Sequence, residues 1–141
     1  MIKEFTGKYE FLSNFWHSPF EYEGITYPTN EHFFQAMKSQ LPAERKIIAA
    51  AVTPGQAKRF GRQCVLRPDW ERVKDEVMLT GLRIKFSNPT LRTQLIMTGD
   101  EELVEGNWWG DTYWGVCNGV GKNRLGKLLM QVREEIKLEL N

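Results

Sequence analysis

Thr29-Asn30-Glu31-His32-Phe33-Phe34-Gln35-Ala36-Met37-Lys38 reads as a helix, and the organisation of the chain follows from it. Thr29 or Asn30 caps its start, because either side-chain oxygen can accept a free backbone N–H of the first turn. The pattern predicts a helix running to about Gln40. Helical spacing puts Glu31, Gln35 and Lys38 on one face, at i, i+4 and i+7. Phe33, Ala36 and Met37 fall on the other side and face the core. An acid, an amide and a lysine in that arrangement is the usual pattern of a solvated face. If the face lines a cleft instead, the carboxylate can move a proton. A lysine with a depressed pKa can then attack a carbonyl-level carbon and form a Schiff base.

Before this segment, Phe20-Glu21-Tyr22-Glu23-Gly24-Ile25-Thr26-Tyr27 alternates around a Glu-Gly turn and predicts a short hairpin. After it, Pro42 opens a second helix through about Ala51. Thr53-Pro54-Gly55-Gln56 has a capping-box pattern for a short third helix ending near Gly61. Asp69 caps a longer one, in which Trp70, Val73, Val77, Met78, Leu82 and Phe86 keep helical spacing. Ser87-Asn88-Pro89 ends it and starts another, to about Met97. Leu103-Val104-Glu105 predicts a short strand. A last helix runs from about Lys122 to Leu138, with Leu125, Leu128, Leu129, Val132 and Ile136 on one stripe. The expected fold is α+β and mostly α-helical: one compact domain over residues 1–141 with a small β-sheet or hairpin. Strands do not alternate with helices, which argues against a doubly wound sheet.

The chain has 141 residues, with 19 lysines and arginines against 18 acids. So balanced a chain has no global basic field and predicts no extended nucleic-acid footprint, though a pocket for one phosphate is compatible. No apolar run is long enough for a signal peptide or membrane span, so a cytoplasmic protein without membrane partners is expected. Cys64 and Cys117 are expected to be buried or idle thiols. With His17 and His32 they match no zinc pattern, so no metal is expected. Nucleophile-elbow and dinucleotide fingerprints are absent, and no local motif pairs a cysteine with a histidine.

Four further groups bear on chemistry. Trp108-Trp109-Gly110-Asp111-Thr112-Tyr113-Trp114 is either a core segment or a stacking wall for a flat ligand. Glu105, Asp111 and Trp114 offer a carboxylate beside aromatic walls, suited to acid/base work; the alternative for Asp111 is a turn aspartate. Asn118-Gly119-Val120-Gly121-Lys122-Asn123 precedes the last helix. It is either a helix N-terminus holding one anion or a flexible connection. In Lys58-Arg59-Phe60-Gly61-Arg62, Arg62 either forks onto a phosphate or is a solvated helix end. Lys85 is open in the same way.

These motifs come in a recognisable order. Phe11-Leu12-Ser13-Asn14-Phe15, Tyr27 and the Glu31–Lys38 segment are followed by Gly61-Arg62, Asp69-Trp70, Met78 and Lys85-Phe86. Then come Thr98-Gly99-Asp100, Leu103-Val104-Glu105, Asp111 with Trp114-Gly115, and Asn123-Arg124-Leu125-Gly126-Lys127-Leu128-Leu129-Met130. The ordered set resembles the NADAR family of YbiA-like proteins over nearly the whole chain. Ser39 departs from the aromatic that many relatives carry after the lysine. The resemblance implies an N-glycosidase that cleaves the bond between a ribose carbon and a base or amine nitrogen, without a cofactor. Its implied substrates are ribosylamino-pyrimidine phosphates of the riboflavin pathway or ADP-ribosylated guanine. It implies Glu31, Lys38 and Asp111 as catalytic residues. It implies Asn14, Tyr27, Gln35, Arg62, Trp70, Lys85, Glu105, Trp114 and Asn123 as substrate-binding ones. Glu31 would be the acid/base, and Lys38 would trap the opened ribose as an imine. In the competing route Asp111 or Glu31 activates water. A module that binds ADP-ribose without cleaving it is the alternative of another class.

Overall fold

The computed structural model describes residues 1–141. The protein is α+β and mostly helical. Its residues gather into two compact units, Asn14–Gly81 and Met1–Ser13 with Leu82–Asn141.

In the unit Asn14–Gly81, strands β1 (Phe20–Tyr22) and β2 (Ile25–Tyr27) pair antiparallel, Phe20 opposite Tyr27. The turn residues Glu23 and Gly24 both have positive φ, 49° and 82°. That backbone matches the twist of a two-residue hairpin, and a glycine at its second position adopts it at little cost. Helix α1 (Asn30–Ala36) follows, capped by Thr29, whose side chain accepts from His32 N. Phe33 anchors the hairpin: its ring stands edge-on to Tyr22 and Tyr27, with centroids 5.0 and 5.5 Å away. Helices α2 (Pro42–Ala49) and α3 (Pro54–Gly61) pack against α1.

Helix α1 ends four residues before the expected Gln40. Lys38 N and Ser39 N bond to Gln35 O and Ala36 O, so the last turn tightens to i→i+3 spacing. Leu41 must then be extended ahead of Pro42, at φ −93° and ψ 120°, which bars a continuous helix into α2. Surrounded by α2, α3 and the hairpin, all seven residues of α1 are buried.

Helix α4 (Trp70–Lys85) lies in the first unit up to Gly81 and in the second from Leu82. In the second unit a 3-10 turn at Gly7–Leu12 was not legible in the sequence. Helices α5 (Pro89–Ile96) and α6 (Arg124–Glu139) pack on each other. The expected strand at Leu103–Glu105 is displaced: Leu103 makes only an isolated bridge to Ile2. The strands are β3 (Gly106–Asn107) and β4 (Val116–Cys117), paired parallel. No helix is long and apolar enough to cross a membrane.

Candidate active site

The chemistry-bearing side chains of the first unit converge at the end of α1. Glu31 and Gln35 are only 7% and 4% exposed. Their face is therefore not the solvated one its composition suggests. Gln35 Nε2 donates to Glu31 Oε1 at 3.0 Å. Lys38 stands on the turn after α1, not on the helix face that the i+7 spacing assumed. Its position is set from the backbone, because its carbonyl accepts from Arg67 N at 2.8 Å. Arg67 is itself held by a two-pronged ion pair to Asp69, at 2.7 and 3.1 Å.

The Lys38 ammonium is half-buried and has no hydrogen-bond or ion-pair partner. Burial pushes its pKa below the ordinary lysine value. The Glu31 carboxylate and the Cys64 thiol oppose that shift, while the Arg62 and Lys58 cations add to it. These four groups define the surroundings of the amine. Arg62 caps the C-terminal end of α3 and is exposed, without an ion-pair partner. A buried acid, a lysine biased toward its neutral form and two further cations therefore share one neighbourhood. Lys58 and Cys64 were not given a site role from the sequence. The available signal was Lys58 one helical turn before Arg62, which puts both cations on one side of α3.

Three other residues of this unit turn inward. Asn14 Oδ1 accepts from Asn30 Nδ2 at 2.9 Å, and Asn14 Nδ2 reaches Met78 Sδ at 3.3 Å. Tyr27 is fully buried with no partner for its hydroxyl, and burial raises its pKa. Trp70 is 6% exposed, with its ring 5.0 Å from that of Phe34. All three pack the unit's interior.

In the second unit Asn123 has the left-handed φ of 52° and joins two backbone segments. Its Nδ2 donates to Leu103 O at 2.9 Å, and its Oδ1 accepts from Glu105 N at 3.0 Å. Asp111 takes its turn role, with Oδ1 accepting from Tyr113 N and Trp114 N at 3.1 and 2.9 Å. Glu105 and Trp114 are half-buried. Lys85, the last residue of α4, is not a solvated helix end. It is 1% exposed, its Nζ donates to Ser13 O at 2.8 Å, and burial lowers its pKa to about 7.

The structure narrows the alternatives for two loops. Trp108 and Trp109 are 86% and 51% exposed, so they are not a core segment. They border a cleft of about 680 Å³ together with Phe5, Ser13, Glu105 and Asn107. Four amides at the start of α6 are already taken by backbone carbonyls rather than left for an anion. Lys122 N, Asn123 N, Arg124 N and Leu125 N bond to the carbonyls of Thr112, Gly115, Tyr113 and Trp114. No group of three or more His, Cys, Asp or Glu side chains is placed to hold a metal ion.

The model of the NADAR domain matches residues 2–137. The chain belongs to the NADAR family. It is 44% identical over 132 residues to "N-glycosidase YbiA" of Shigella flexneri serotype 5b (strain 8401), covering 91% of this chain and 82% of that protein. It is 38% identical over 131 residues to "Riboflavin biosynthesis protein VVA0006" of Vibrio vulnificus (strain YJ016), covering 90% of this chain and 35% of that longer protein. Its fold matches the NMR structure of the E. coli protein YbiA with a TM-score of 0.86 and 40% identity, over 99% of this chain and 84% of that one.

Proposed function

We propose that this N-glycosidase cleaves the bond between C1′ of a phosphorylated ribose and the nitrogen of a pyrimidine amine, with Lys38 as nucleophile and Glu31 as proton carrier. The observation that carries the reading is the unpartnered Lys38 amine, biased toward its neutral form, in the neighbourhood of the buried Glu31 carboxylate. Only a neutral amine attacks carbon, and only an acid/base group nearby relays the protons of that attack.

The steps balance as follows. The ribosylamine opens so that C1′ is doubly bonded to the leaving nitrogen. Lys38 Nζ adds to C1′. The two protons of its amino group pass to the leaving nitrogen, one after the other, with Glu31 as relay. The amine departs, and C1′ is held as an imine on Lys38. Water then adds to C1′, and the sugar leaves as an aldehyde that closes to ribose while Lys38 regains its amine. Arg62 and Lys58 supply positive charge for the phosphate. The relative named for riboflavin biosynthesis supports a ribosylamino-pyrimidine phosphate as the substrate. In the competing route Asp111 would have to activate water through Oδ2, since its Oδ1 already takes two backbone N–H groups.

The test is to incubate the protein separately with a ribosylamino-pyrimidine 5′-phosphate and with ADP-ribosylated guanosine, following both by mass spectrometry. Release of ribose 5-phosphate and free pyrimidine amine from the first supports the proposal. Turnover of the second alone reassigns the substrate, and binding without product from either would reduce the protein to a binding module.

A further inference from the structure

Gln35 was expected to touch substrate, but its surroundings leave it no free polar surface. The side chain is 4% exposed, and its N–H is committed to Glu31 Oε1 at 3.0 Å. Its other amide atom, Oε1, is shielded from solvent and has no hydrogen-bond partner. A buried acceptor left unmatched is unfavourable, so this orientation persists only because the opposite one would turn the amide oxygen toward a carboxylate. The amide is thus held with its donor on Glu31 and its oxygen against α3.

What lies on that side is Gly61. A Cβ built there would stand 2.0 Å from Gln35 Oε1, 3.0 Å from its Cδ and 3.2 Å from its Cβ. Gly61 sits in the last turn of α3 and is not among the positive-φ glycines. Its backbone therefore has no need of glycine, and alanine would suit a helix better. The space occupied by the Gln35 amide accounts for it.

We infer that Gln35 is a positioning residue for Glu31, and that Gly61 is the cleared seat that lets it act. The carboxylate of Glu31 is held in one orientation and its ionised form favoured by the amide N–H. This rests on the reading of Glu31 as the proton carrier, and the experiment separates the two.

Gln35→Leu removes the donor at similar size, and Gly61→Ala displaces it. Gln35→Met provides a second donor-less variant if either fails to fold. Two measurements are made on each: kcat and KM against pH, and the carbon-13 shift of the Glu31 carboxyl against pH, which needs no turnover. In every folded variant the Glu31 carboxyl should titrate at higher pH than in the parent. The acid limb of kcat should move with it, kcat should fall at least about tenfold, the worth of one hydrogen bond to a charged group, and KM should stay within about twofold. The double variant Gln35→Leu/Gly61→Ala should be no slower than the slower single one, since both act through one amide. An unmoved carboxyl titration would overturn the inference, as would a raised KM at unchanged kcat, the signature of a substrate contact. A moved titration with an unmoved kcat limb upholds the positioning of Glu31 while refuting its role as proton carrier.

Discussion

Thr29 and His32 hold each other through a single hydroxyl. Thr29 Oγ1 accepts from His32 N at 3.1 Å and lies 2.8 Å from His32 Nδ1. On its far side the ring meets Ala51 O through Nε2 at 3.0 Å. A carbonyl can only accept, so Nε2 carries the proton, and Nδ1 takes the Thr29 hydroxyl proton. The neutral ring thereby braces the Thr29 cap of α1 and ties it to Ala51, just past the end of α2.

Burial, reinforced by His17 and opposed by the Ala51 carbonyl, holds the His32 pKa below its ordinary 6.5. Below about that pH the unfolded chain binds a proton that the folded one resists, so stability falls as pH drops through this range. Thermal melts from pH 7.5 to 5 should show the loss. His32→Gln, which keeps a donor for Ala51 O, should show a shallower slope. Equal slopes would contradict the assignment.

Lys85 gives the same sign in a different window. Its pKa is lowered to about 7 by burial, against 10.5 for the free side chain. Between those values the unfolded state binds the extra proton, so the lysine's contribution to stability rises as pH rises from about 7 to about 10.5. Denaturant titrations of the parent and Lys85→Met should converge at high pH and diverge in favour of the variant toward pH 7. A constant difference over the window would show that Lys85 does not titrate there.

Lys38 and Glu31 have separable signatures. Borohydride added during turnover should leave a ribose phosphate adduct on Lys38, visible in the intact mass and absent from Lys38→Arg. Glu31→Gln should keep its melting temperature close to the parent's and lose roughly 10²–10⁴-fold in kcat. Because Lys38 must be neutral to attack, kcat should climb with pH toward its lowered pKa. An unmodified protein recovered from proven turnover would exclude the covalent route.

The proposed role of Arg62 and Lys58 in holding the substrate phosphate has its own signature. Arg62→Gln and Lys58→Gln should each raise KM for the phosphorylated substrate by about tenfold, with kcat nearly unchanged and a weaker dependence on salt. The dephosphorylated nucleoside should respond to neither change. Equal effects on both compounds would remove the phosphate role.

Gly81 reverses a general rule. Alanine usually favours a helix interior by about 1 kcal/mol over glycine. Here a Cβ would lie 2.0 Å from Asn30 Oδ1 and 2.9 Å from Phe33 Cδ2. Gly81→Ala should therefore destabilise by ~1–3 kcal/mol in urea titrations. A stabilised variant would mean that α1 shifts freely against α4.

Much of the backbone was legible because its signals are local. Glu23-Gly24 specifies a two-residue turn through its dihedral angles. Thr53-Pro54 and Asn88-Pro89 start α3 and α5 where expected, with Thr53 accepting from Gln56 N and Asn88 from Thr90 N and Leu91 N. The leucine stripe marks α6 by period alone. The Glu31-to-Lys38 segment was also legible, as a motif and as a set of reactive types.

What the chain order could not settle is which polar groups leave water, because that depends on elements distant in sequence. Glu31 and Gln35 are buried in a unit where α2, α3 and the hairpin pack on α1. Lys38 leaves the helix because backbone bonds from Arg67 and the extended Leu41 claim that turn. Asn14, Tyr27, Trp70 and Asn123, which the resemblance implies as substrate-binding, are buried and engaged in interior packing and backbone ties. Trp108 and Trp109, which the sequence leaves open between core and stacking wall, are exposed. Periodicity and capping are properties of a few neighbouring residues and are written in the chain. Desolvation, which gives a carboxylate or an amine its reactivity, is a property of everything packed around it, and only the tertiary structure decides it.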